Sequence, residues 1–166
     1  MSTNNPILIY LDTNVYSRPF DDQTQANIQE EANAFLKIIA EVKANRLSLL
    51  CSDILDFEVQ HILSEEKRAK IEEFLDLCAE HSESSDEVLN VGKRVENNCP
   101  VRARDALHIA SAILGQARYF LSCDKKVTQK KQGQCYRRVV RTYHQEYFSV
   151  MNPILFVEKI EQGELK

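Results

Sequence analysis

Four carboxylates, Asp12, Glu58, Asp105 and Asp124, stand where a purely structural account of them is weak. Asp12 and Asp124 follow two short apolar runs, Ile7-Leu8-Ile9-Tyr10-Leu11 and Tyr119-Phe120-Leu121-Ser122-Cys123. Runs of that length and composition read as strands buried on both faces. An acid released at the end of such a strand lies where a parallel sheet opens into its ligand crevice. Glu58 interrupts a helical stripe formed by Ile54, Leu55 and Ile62, and burying a charge there is costly unless something compensates it. Each acid also has a plainer reading. Asp12 is a good N-cap, Glu58 at the stripe's edge would reach water or an arginine, and Asp105 in a first helical turn favours the helix dipole. Taken together, four carboxylates on one sheet edge repel one another and raise their pKa values unless a cation neutralises them. Mg2+ or Mn2+ suits an all-oxygen donor set, and no His or Cys group has zinc-ligand spacing. Such an ion activates a water and stabilises charge on a phosphate.

The elements that must position these acids follow from periodicity. Residues 24–44 read as an amphipathic helix with Ile28, Ala32, Phe35, Leu36, Ile39 and Val42 on its apolar positions. Leu47–Cys51 reads as a second strand, and Ser52 or Asp53 caps a helix running to about Leu63. A charged helix is expected from Glu65 to His81, another over 86–97, and a central one from Arg102 to Leu114, whose small residues permit close packing. His108 on that central helix reads equally as a packing residue or a ligand. Residues 136–147 place Tyr136, Val139, Val140, Tyr143 and Tyr147 at helical spacing, either as a buried face, a dimer contact or a stacking surface for RNA. Phe148–Met151 reads as a last strand, and Asn152-Pro153 as cap and first residue of a closing helix. Strands alternating with helices give an α/β class: a three-layer α/β/α sandwich on a mainly parallel sheet of four or five strands, in one domain spanning 1–166.

Composition sets the bounds. The 166 residues can bury a core without staples. Five cysteines, an odd number without a Cys-x-x-Cys pair, read as reduced thiols of an intracellular protein. No apolar run is long enough for a membrane span, and no secretory signal is visible, so the cytoplasm is the expected compartment. The net charge is −4, yet residues 93–144 hold twelve Lys and Arg against Glu96, Asp105 and Asp124. That basic segment is either a phosphate-binding surface, with Lys125 and Lys126 nearest the acids, or a solvated face that pairs with the acidic remainder.

The motifs in order resemble the PIN domains, the family that includes the VapC-type toxins of toxin–antitoxin pairs. The resemblance rests on Leu11-Asp12-Thr13-Asn14, Ser52 with Glu58, Asp105-Ala106-Leu107-His108-Ile109-Ala110, Ser122-Cys123-Asp124-Lys125-Lys126, and Asn152-Pro153 with Phe156, covering about residues 7 to 160. It implies a Mg2+- or Mn2+-dependent endoribonuclease, with Asp12, Glu58, Asp105 and Asp124 as metal-binding and catalytic acids and with Thr13, Asn14 and Ser122 orienting them from behind. RNA is the implied substrate, and a small antitoxin and a second copy in a homodimer are the implied partners. The chain departs from the family pattern at Ser122, where threonine is commoner, and in the longer stretch between Asp124 and Asn152. A phosphatase of the haloacid-dehalogenase type would need a second Asp at the place of Asn14. An inactive PIN-like fold kept as an RNA-binding or partner-binding module is the reading from another class.

Overall fold

Ile7–Leu11 forms the central strand, β1, and its side chains alternate between two cores. Ile9 and Leu11 point into one, Tyr10 into the other, and all three are fully buried. A computed structural model describes residues 4–143 and 147–165. Along the chain, β1 leads to α1 (Thr13–Ser17), a 3-10 turn (Arg18–Phe20), α2 (Ala26–Lys43) and β2 (Leu47–Ser52). Helices α3 (Asp53–Gln60) and α4 (Glu65–Leu75) precede β3 (Cys78–Ser82), then α5 (Asp86–Asn98), α6 (Ala103–Leu114) and β4 (Tyr119–Leu121). The remainder is α7 (Lys125–Thr128), α8 (Lys130–Val140), a 3-10 turn (Arg141–Tyr143), β5 (Ser149–Met151) and α9 (Pro153–Glu161). The five strands lie in the order β3-β2-β1-β4-β5, and every pairing is parallel.

This all-parallel sheet carries helices on both faces, the three-layer sandwich expected from the sequence. Phe35, Ile38, Leu55, Ile71 and Phe156 of α2, α3, α4 and α9 cover one side. Val88, Val91, Ile109, Ala110 and Tyr136 of α5, α6 and α8 cover the other. Full burial of both strand faces explains why the strands are continuous apolar runs. With all strands parallel, the C-terminal ends of β1, β2, β4 and β5 lie along one edge, and the turns that leave them build the site.

Three sequence expectations need correction. The charged stretch from Glu65 to His81 divides, because the helix stops at Leu75 and Cys78–Ser82 pairs with β2 as an edge strand. Its Ala79, Glu80 and His81 are exposed, so the hydrophobic pattern of a strand is missing there. The aromatic stripe near the C-terminus belongs to a helix that begins at Lys130 and ends at Val140, and the expected continuation over 144–146 lies outside the described residues. Tyr136, Val139 and Val140 are buried in the core, so that face is packing and not an RNA-stacking surface. The cysteines are also not all free. Cys51 is bonded to Cys78 and Cys99 to Cys135, which leaves Cys123 as the free, buried thiol.

Candidate active site

Asp12 follows β1 directly, and its backbone N–H donates to Leu121 O of β4 at 2.9 Å, so the two strand ends are tied together. The side chain does two jobs. Oδ1 accepts the Thr13 N–H at 2.8 Å and caps α1. Oδ2 accepts the Ser122 hydroxyl at 2.9 Å and the Asn14 amide at 3.3 Å. Asn14 in turn accepts the Cys123 N–H at 3.0 Å, and the Ser122 hydroxyl accepts the Asp124 N–H at 3.1 Å. Asn14 and Ser122 therefore lock Asp12 to the turn that carries Asp124. Asp124 Oδ1 accepts the Lys126 N–H at 2.9 Å and caps α7.

Asp105 lies in the first turn of α6, buried at 8% exposure, and is joined to Asp124 by a single guanidinium. Arg102 Nε lies 3.2 Å from Asp105 and Nη2 lies 3.6 Å from Asp124. Glu58 arrives from α3 and meets His108 Nε2, whose other carboxylate neighbour, Asp12 Oδ1, is 3.7 Å away. His108 Nδ1 is 2.6 Å from the Tyr10 hydroxyl, and that hydroxyl is 2.6 Å from Ser52 Oγ, the N-cap of α3. The four acids thus surround one place at the C-terminal edge of the sheet, with Arg102 and His108 standing among them.

The electrostatics follow from burial. Desolvation raises the pKa of Asp12, and Asp105 and Glu58 add to the rise, while His108 and the Ser122 hydrogen bond work against it. Burial opposes a charged His108, but the Glu58 hydrogen bond and the charges of Asp12 and Glu58 outweigh it and raise its pKa. Desolvation likewise opposes a charged Glu58, yet the hydrogen bond and charge of His108 pull its pKa down. Both shifts favour an imidazolium–carboxylate pair. An imidazolium uses both nitrogens as donors, so Tyr10 accepts from Nδ1 and must donate to Ser52. Burial holds the Tyr10 pKa well above its ordinary value, which keeps that donor in place.

A hard divalent cation fits this donor set. All four acids offer oxygen, and the buried Thr13 hydroxyl has no hydrogen bond of normal geometry, although it lies near enough to Glu58 to favour that carboxylate's charge. Arg102, whose side chain is 77% exposed, is free to withdraw from Asp105 and Asp124 if a cation arrives. His108 is enclosed and stays. The acids are not drawn as tightly together as a metal-loaded cage. Among the described residues, three metal-capable side chains with ligand atoms within 4.8 Å of one another occur elsewhere, at Asp53, Asp56 and His81. There His81 and Asp53 are already hydrogen-bonded at 2.6 Å on an exposed surface.

Lys125 and Lys126, both exposed, open α7 directly beside Asp124. Sequence reasoning left out the roles of Arg102 and Tyr10 and left His108 undecided. A signal existed, since Arg102, Asp105 and His108 recur at intervals of three, which puts them on one side of a helix start.

The family model of the PIN domain matches residues 9–132. A chain of the VapBC2 structure from Rickettsia felis, solved bound to a DNA fragment from their promoter, superposes with a TM-score of 0.56 at 13% identity, over 88% of this chain and 98% of that one. That likeness bears on the fold alone. No functionally curated protein matches the chain by sequence.

Proposed function

The chain belongs to the PIN-domain family, and from that premise we propose that it is a divalent-metal-dependent endoribonuclease with Asp12, Glu58, Asp105 and Asp124 as its catalytic acids. The observation that carries this reading is the linkage of the four acids through shared partners, His108 between Glu58 and Asp12, Ser122 between Asp12 and the Asp124 turn, and the exposed Arg102 between Asp105 and Asp124 as a provisional counter-ion. Mg2+ or Mn2+ held by these acids would supply an activated water and a neutralising charge for the phosphate.

The chain's own residues divide the remaining work. Ser122 and Asn14 fix the Asp12 carboxylate. The His108 imidazolium holds Glu58 ionised and in place. Arg102, released from Asp105 and Asp124, donates a planar pair of N–H groups to a phosphate oxygen. Lys125 and Lys126 attract the polyanion to a site whose acids would otherwise repel it. The reading treats residues 1–166 as a single nuclease domain.

We extend it to the toxin of a toxin–antitoxin pair, supported by the fold shared with a chain of VapBC2, with a small antitoxin and a second copy of the chain as partners. No described helix is long and apolar enough to cross a membrane; the cytoplasm, where RNA is met, is the compartment this reading assigns. Incubating the protein with single-stranded RNA in Mn2+ and in EDTA tests the activity. Cleavage that requires Mn2+ and falls at least a hundredfold in Asp105→Asn supports it. Binding without cleavage under either condition would favour the inactive RNA-binding module instead.

A further inference from the structure

The stretch between Asp124 and Asn152, longer than the family pattern leads one to expect, builds a cavity of about 700 Å³ between α7, α8, β5 and α9. Lys125, Lys130, Arg137 and Lys159 reach into it, and no Asp or Glu is among the described residues that line it. Lys159 has a partner in Glu164 at 3.7 Å. Lys125, Lys130 and Arg137 form no ion pair among the described residues. The floor is apolar, with Val150 and Leu155 prominent, and Thr128, Gln129 and Gln134 add polar groups.

Gly133 stands in the wall of this cavity, in the first turns of α8. A Cβ placed there would meet nothing within 4 Å, and its φ is not in the left-handed region. Neither backbone geometry nor packing therefore calls for glycine, a residue that weakens a helix. What glycine preserves at this position is open space.

Lys125 belongs both to the cavity and to the turn that presents Asp124. Lys125 thus links the lining of the cavity to the turn of the acidic site. We propose that this cavity is a binding subsite for a nucleotide of single-stranded RNA flanking the scissile bond, its phosphate among Lys125, Lys130 and Arg137 and its base on the apolar floor. A cationic rim over an apolar floor is the pairing of features that single-stranded nucleic acid requires. The inference rests on the endoribonuclease reading for the identity of its ligand, and it adds a determinant of substrate length and affinity outside the catalytic acids.

Gly133 supplies the test, because a side chain can be added there without displacing anything. Binding of a labelled single-stranded oligoribonucleotide would be measured by fluorescence anisotropy in EDTA across a salt series. Mn2+-dependent cleavage would be measured separately on that RNA and on a dinucleotide too short to reach the cavity. Gly133→Glu should weaken oligonucleotide binding tenfold or more, with Gly133→Ala near the parent and Gly133→Gln between them, while dinucleotide cleavage stays unchanged. Removing Lys130 and Arg137 together as glutamines should flatten the log–log salt slope by about 0.7 per cation. Oligonucleotide affinity and salt slope unaffected by Gly133→Glu and by the double variant would overturn the cavity inference, even with cleavage intact. RNA binding that responds to these variants in a protein unable to cleave either substrate would remove the nuclease reading and leave the subsite standing. A parent that does not bind the oligonucleotide at all would overturn the subsite whatever the cleavage assay shows.

Discussion

Asp12 shows how one side chain serves both readings the sequence left open, since Oδ1 caps α1 and lies 3.7 Å from His108, the partner of Glu58, while Oδ2 is tied to Ser122 beside Asp124. Its folded-state pKa is raised, chiefly by burial. Its contribution to stability is therefore complete at low pH and is lost as pH rises through the folded value. Asn keeps the cap and removes the charge. Metal-free Asp12→Asn should consequently be more stable than the parent by about 1 kcal/mol near neutral pH, and it should lose most of the stabilisation that Mn2+ gives by binding the folded state. Melts in EDTA and in Mn2+ check both halves; a variant less stable in EDTA but equally responsive to Mn2+ would make Asp12 structural only. His108 is also raised, so its contribution is complete below its ordinary value of about 6.5 and is lost as pH climbs above it. Glu58 is lowered, so its share is present above its ordinary value and is lost as pH falls through the folded one. His108→Gln should cost about 2 kcal/mol at pH 6, less than for a fully enclosed pair because Glu58 keeps some contact with water. The same variant should abolish the decline in stability on the alkaline side. A melting profile parallel to the parent's from pH 6 to 8 would count against the imidazolium pair. Asp12, Asp124 and Glu58 stood out as candidates because strand ends and apolar stripes make a carboxylate conspicuous, and Asp105 because it opens the small-residue helix. The cations among them were less legible: the spacing of Arg102, Asp105 and His108 puts these three on one side of a helix start, but nothing local reveals that the fold also brings Asp12, Glu58 and Asp124 near.

At the scale of elements, legibility followed burial. β1, β2 and β4 are enclosed on both faces and read as continuous apolar runs, and α6 declares itself by its small residues. β3 pairs with β2 through its backbone while Ala79, Glu80 and His81 stay exposed, so no side-chain pattern marks it as a strand. Several of the helix starts expected from the sequence coincide with a side-chain cap. Ser52, Ser64, Ser85 and Asn152 each accept the N–H two or three residues on. Ser85→Ala should therefore cost about 1 kcal/mol, read as a lower denaturant midpoint with an unchanged m-value. Helix α8 lacks a side-chain cap and carries Gly133 in open space. Gly133→Ala should raise stability by about 0.5–1 kcal/mol. A destabilised Gly133→Ala would mean that the glycine relieves a clash the structure does not contain.

Across the whole molecule, two disulfides join one pair of neighbouring strands and one pair of helices. Cys51–Cys78 ties β2 to the start of the edge strand, and Cys99–Cys135 ties the end of α5 to α8, across separations of 27 and 36 residues. The odd cysteine count without a Cys-x-x-Cys pair reads as five reduced thiols, whereas only the buried Cys123 is free, because linear spacing cannot show that the other four meet in pairs. Only the fold brings their Cα atoms to 5.9 and 5.7 Å, within bridging range. Closing loops of these lengths removes disorder from the unfolded chain worth up to about 3.5–4 kcal/mol per bridge, on a chain-entropy account. Because that effect lies in the unfolded state, reduction should lower the melting temperature without rearranging the acids. The second bridge also anchors α8, which carries the cavity wall, so reduction should loosen oligonucleotide binding more than dinucleotide cleavage. Thiol counting separates the bridged state from the fully reduced one. The oxidised protein should show no fast-reacting thiol when folded, because burial raises the Cys123 pKa far above its ordinary value. It should show one thiol in denaturant and five after reduction. Five thiols in denaturant before any reductant is added, from protein purified under air, would return the cysteines to the free state that their spacing suggests.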